Sequence, residues 1–166
     1  AAERAPSDPL VLSALGMAFL ERQHFAFAEQ TLRKALALTA ASPALNAPLI
    51  IALDAQGKRD EALAVAETWV AQTGEPAAHW NRAQLRLSAG QVEGARADLD
   101  AVLAAFPQHV QAFELAMQLL GQAEGQDAVM AALEARVAAD PGFALAWRLL
   151  LNLQPIDAAP ALVQRW

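Results

Sequence analysis

His24, His79 and His109 are the side chains of this chain best suited to metal ligation or proton transfer, and they lie far apart in sequence. No two have the four-residue or short-loop spacing that brings two imidazoles to one ion. Each is therefore read as an exposed polar residue in a turn, near a helix start or in a linker. Ser7, Ser13, Ser42 and Ser88 lack the histidine and carboxylate partners that would activate a hydroxyl. The chain has no cysteine, which excludes thiolate catalysis, disulfides and thiolate-bound zinc. Asp60, Glu61, Asp98 and Asp100 are expected in turns and on outer helix faces, in water. Trp69 and Trp80 are expected in the core, and the glycines mark turns rather than a phosphate-binding loop. This pattern supplies no catalytic, cofactor-binding or metal-ligating residue, and the expectation is a protein that is not an enzyme.

The elements that must carry these residues are helical. Hydrophobic residues make up 55% of the chain, with Ala and Leu prominent, while aromatics are only 6%. Ala and Leu favour helices, whereas strands favour the β-branched and aromatic residues that are sparse here. The formal net charge of -6 opposes phosphate backbones, which argues against a nucleic-acid partner. The most apolar run, Pro48 to Leu53, is far too short to span a bilayer, so no membrane insertion of this segment is expected. The opening AAERAPSD has neither the basic nor the apolar region of a targeting segment.

A repeat organises the chain. Pro107 lies 34 residues before Pro141, Gly74 lies 33 before Pro107, and Ala40 and Pro6 follow at further steps of 34. Asp8-Pro9, Ser42-Pro43 and Glu75-Pro76 mark helix starts, because an acceptor side chain caps an orphan N–H and Pro at the first position has none to lose. Glu is the poorer cap, and Thr73 is expected to share its task. Each unit reads as two amphipathic segments around a polar turn. The first segments carry Leu12, Leu15, Phe19; Leu49, Leu53; Trp80, Ala83, Leu87; Phe113, Ala116, Leu120; and Trp147, Leu150. The second carry Ala28, Leu32, Ala35; Ala62, Ala66, Trp69; Ala95, Leu99, Val102; and Val129, Leu133.

This pattern resembles the tetratricopeptide (TPR) family, whose helix–turn–helix repeat has 34 residues. Leu15-Gly16, Phe19, Ala28, Leu32 and Ala35 stand at the family's offsets in the first repeat, and Trp80, Phe113 and Trp147 hold its early aromatic position. Ile50, Met117 and Leu151 replace its small Gly, Asn46 its aromatic, and Arg136 its late Ala. The resemblance implies an all-α, right-handed solenoid of antiparallel helix pairs over residues 1–166. Repeats fall at 9–42, 43–75, 76–109 and 110–143, with partial repeats at 1–8 and 144–166. Pro48 conflicts with the pattern: the helix either starts late, with Asn46 as its cap, or kinks. The last residues, PIDAAPALVQRW, suit a short helix capped by Asp157. Neither end has the polar cap of a finished solenoid, so the expectation is a piece of a longer array whose apolar end faces self-associate weakly.

The resemblance also implies where a partner would bind. First-helix positions flanking the structural ones form the concave wall and give Leu10, Ser13, Met17 and Leu20, then Ala47, Ile51 and Asp54, then Asn81, Leu85 and Ser88, then Gln111, Glu114 and Gln118, then Arg148 and Asn152. Such a wall suits an extended or helical segment of another protein. Arg148 and Asn152 resemble part of the family's carboxylate clamp, but Ser13 and Met17 stand where repeat one would need a basic residue and Asn. By analogy the scaffold is read first as the periplasmic arm of a bacterial exopolysaccharide export protein. The second reading is a recruiting or regulatory arm of an enzyme such as a glycosyltransferase, with the cytoplasm as second compartment.

Overall fold

A computed structural model of the chain describes residues 8–39 and 43–153. Among the described residues every regular element is an α-helix, in the order α1 (Pro9–Glu21), α2 (Phe25–Leu38), α3 (Pro43–Ala55), α4 (Arg59–Thr73), α5 (Pro76–Ser88), α6 (Val92–Ala105), α7 (Val110–Glu124), α8 (Gln126–Ala139) and α9 (Ala144–Leu153). The expectations for Ala1, Pro6, Ser7, Ala40, Ser42 and the helix capped by Asp157 lie outside the described residues.

Local chemistry sets the ends. Asp8 Oδ1 accepts from the Leu10 N–H at 2.8 Å, and Pro9 occupies the first turn. Glu75 makes no side-chain cap bond to α5; instead the Thr73 hydroxyl accepts from the Glu75 N–H at 3.2 Å. The turns inside the first three repeats each need a left-handed residue, supplied by Gln23 (φ 60), Gly57 (φ 74) and Gly90 (φ 73). Helix α3 begins at Pro43 and runs through Pro48, which sets aside the late start with Asn46 as cap. Pro48 is buried, so its ring contributes to packing what its missing N–H takes from the helix ladder.

The chain divides into two compact units, 1–98 and 99–166. In the first, Ala28, Leu32 and Ala35 of α2 and Ala62 and Ala66 of α4 are fully buried against Leu12, Leu49, Leu53 and Trp69. Small residues at these contacts let the helices approach closely. Gly16 shows this most sharply, because a Cβ there would sit 2.7 Å from Leu32 Cδ2. The buried stripe of α1 consequently runs through Leu12 and Gly16, and Leu15, expected in the core, is 38% exposed.

In the second unit Phe113, Leu133, Val137, Phe143, Trp147 and Leu150 form the core. Phe113 and Phe143 meet edge to face at 5.1 Å, and the Arg136 guanidinium lies 4.8 Å over the Phe143 ring. Asp140 accepts from Arg136 and from the Gly142 N–H, which fixes the turn between α8 and α9. Trp147 anchors α9 by donating its Nε1–H to the Pro141 carbonyl at 2.9 Å.

Candidate partner-binding wall

Helices α1, α3 and α5 place the expected wall residues of the first unit in rows. Ser13, Ala47 and Asn81 form one row at 34-residue spacing, Met17, Ile51 and Leu85 the next, and Leu20, Asp54 and Ser88 the third. Met17 and Ile51 are 41% and 50% exposed, and Leu10 is more exposed still. Leu85 is buried and forms a floor instead of a rim. Ile50, Ile51, Asp54, Asn81, Leu85 and Ser88 line one cleft of about 210 Å³, so five of the expected residues meet at a single place.

Asp54 Oδ1 has no hydrogen bond, and Arg59 Nε lies 3.4 Å from it as an ion-pair partner. Elsewhere Glu29 collects Lys58 Nζ at 2.7 Å, Arg33 Nε at 3.0 Å and Gln56 Nε2 at 3.0 Å. Burial pushes the Glu29 carboxyl up, but those hydrogen bonds and the Lys58 charge outweigh burial and hold it below its usual value.

In the second unit the wall residues come from α7 and α9. Arg148 donates to Glu114 Oε1 at 2.8 Å, so the guanidinium that resembles part of a carboxylate clamp already faces a carboxylate of its own chain. Glu114, Gln118 and Asn152 rim a cleft of about 480 Å³ whose floor is Met117, Val129, Leu133, Leu149 and Leu153. Gln111 is exposed on the same helix as Glu114. The clamp resemblance extends no further than Arg148 and Asn152.

One cluster departs from the sequence reading. Asp98, expected in water, is 1% exposed. It accepts from Arg82 Nη2 at 2.6 Å and from Arg86 Nη1 at 2.8 Å, and His79 Nδ1 stands 2.8 Å from its Oδ1. His79 is thus a half-buried partner and not an exposed polar residue. Burial pushes the Asp98 carboxyl up, yet hydrogen bonds from Arg82 and His79 and the charges of both arginines hold it below its usual value. A signal was present: His79, Arg82 and Arg86 follow i, i+3, i+7 spacing, which puts three cationic or polar groups on one stripe of α5 facing the next helix. His109 is also more than a linker residue, since its ring accepts from the Ala112 N–H as the cap of α7. His24 is exposed, as expected.

Among the described residues no group of histidines and carboxylates could hold a metal ion, and no helix is long and apolar enough to cross a membrane.

No protein-family model matches the sequence, and no curated protein is similar to it. Among solved structures the similarity is clear, and the fold these helix pairs define is the all-α solenoid of tetratricopeptide repeat proteins. MamA superposes with a TM-score of 0.72 at 15% identity, over 84% of this chain and 82% of its own. YrrB, a TPR protein with an unusual peptide-binding site, superposes with 0.64 at 19% identity, over 86% of this chain and 74% of its own. The first TPR of Spaghetti (RPAP3), solved with a bound HSP90 peptide, gives 0.65 at 20% identity, over 76% of this chain and all of its own.

Proposed function

We propose that this chain is a non-catalytic scaffold that binds a segment of another protein on the wall built by its first helices. The observation that carries this reading is the exposure of Met17 and Ile51 at successive first-helix positions, with Ile51 beside a cleft floored by the buried Leu85. Apolar side chains left in contact with water over a continuous surface mark an interaction site. The peptide-binding neighbours support it by analogy of fold. Lysine is rare beside arginine, and the repeats are degenerate. The composition supports a bacterial source, and analogy with long degenerate arrays supports the finer reading as the periplasmic arm of an exopolysaccharide export protein. The arm of a larger enzyme such as a glycosyltransferase is the alternative.

Affinity capture from the source organism tests the scaffold reading, comparing wild type with Asn81→Ala/Arg148→Glu by mass spectrometry. A partner held by wild type and lost by the double variant is the expected result. A partner held equally by both moves the site to the second helices, and the partner's pathway separates export from the enzyme arm.

A further inference from the structure

The strip by which α3 docks on the repeat before it has an uncovered counterpart on α1. In α3, Leu45, Leu49 and Ala52 are buried against α2. One period earlier stand Val11, Leu15 and Ala18 of α1, and among the described residues no element covers them. Val11 is 48% exposed, and Leu15, Ala18 and the adjacent Ala14 are exposed as well. Phe27 of α2 extends the same face. Its counterpart one period on, Glu61, reaches back to Arg33 of α2 at 2.6 Å, whereas Phe27 is 59% exposed with its ring against Phe19 and His24.

Charge decides what this face can meet. No charged residue occurs from Pro9 to Leu20. Interfaces between copies of one chain are more apolar and poorer in charge than those formed with changing partners. At about 100° per residue, Asp8, Val11, Leu15, Ala18 and Arg22 share one stripe of the helix. Asp8 and Arg22 bound that stripe, seven residues to either side of Leu15, and both are exposed. A second α1 laid antiparallel brings Asp8 of each copy to Arg22 of the other, with the aliphatic side chains meeting between them. A parallel copy would instead set like charges together. Ala14 and Ala18 let the two helices approach closely.

We propose that the chain forms a two-fold symmetric dimer in which α1 packs antiparallel on α1 of a second copy, with the axis near Leu15. One helix pair about 20 Å long buries less than a standard interface, so the dimer is weak and reversible. Ser13 and Met17 lie on another face of α1, and the dimer leaves the partner-binding wall open. The inference therefore stands or falls independently of the scaffold reading.

Sedimentation equilibrium of the purified chain over a concentration series tests it. A monomer–dimer equilibrium with a dissociation constant on the order of 10 μM is expected. Leu15→Lys should weaken it by more than about tenfold, because two lysines then face each other across the axis. Helical circular dichroism should be unchanged, since Leu15 is exposed. Phe106→Lys, at an exposed apolar residue of the second unit, should leave the equilibrium as it is. Arg22→Glu should weaken the dimer about fivefold, and adding Asp8→Asn, which still caps α1, should recover most of that loss. Orientation is read by mild oxidation, because the chain has no cysteine of its own. Leu15→Cys should give a disulfide-linked dimer and Arg22→Cys should not, since antiparallel copies hold the two Arg22 positions about 20 Å apart. A monomer at about 500 μM, open-ended oligomers, indifference to Leu15→Lys, or a disulfide from Arg22→Cys and none from Leu15→Cys would each overturn the proposal. A monomer that Leu15→Lys destabilises would also overturn it, and would assign the covering of this face to residues 1–7.

Discussion

A buried carboxylate is stable only when its partners replace the water it has lost, and Asp98 has two guanidiniums and an imidazole within hydrogen-bond distance. Because its folded pKa is depressed, its contribution is complete above the range where an unfolded carboxylate titrates and is lost as pH falls through the folded value. Asp98→Asn should therefore lose about 3 kcal/mol at neutral pH, and urea midpoints of the two proteins should converge as pH drops below the ordinary carboxylate range. Gly16 is the second position where one atom matters. Gly16→Ala should cost about 1–3 kcal/mol, since Leu32 is fully buried and cannot move away from a Cβ at 2.7 Å. The role of Gly16 was legible from its place in the repeat. That of Asp98 was not, because its partners lie 12 to 19 residues away on another helix and a lone acidic residue reads as solvated.

At the scale of the element, helix starts were legible wherever local chemistry alone sets them, as at Asp8-Pro9 and Glu75-Pro76. Helix α3 was ambiguous because the local preference of Pro48 opposes the tertiary burial of its ring, and burial prevailed. The turns carry a testable asymmetry. Gln23 occupies a left-handed conformation that Gly57 and Gly90 supply in the next two repeats. A side chain pays a steric penalty there that glycine does not. Gln23→Gly should raise stability by about 0.5–1 kcal/mol, read as a higher thermal midpoint, despite the greater entropy of the unfolded glycine chain. The first-helix rows follow from the same period, which maps each residue to one helix face. What the period could not reveal was which side chains a neighbour had already engaged, as Glu114 engages Arg148.

Across the whole molecule, repeat proteins distribute stability over nearest neighbours. Leu133 is fully buried in the second unit, and Leu133→Ala should cost about 3 kcal/mol there. Amide exchange should then quicken in α7, α8 and α9 while α1 to α4 retain their protection. The central claim is that first-helix side chains, and not those of the second helices, meet the partner. The most direct measurement is site-specific photocrosslinking in cells of the source organism, with a photoreactive amino acid placed at Ile51 of α3 or at Lys34 of α2. Both positions are exposed, so neither substitution disturbs the core. A partner crosslinked from Ile51 and absent from Lys34 is the result predicted here. A partner crosslinked from Lys34 but not from Ile51 would contradict the account and transfer binding to the second helices.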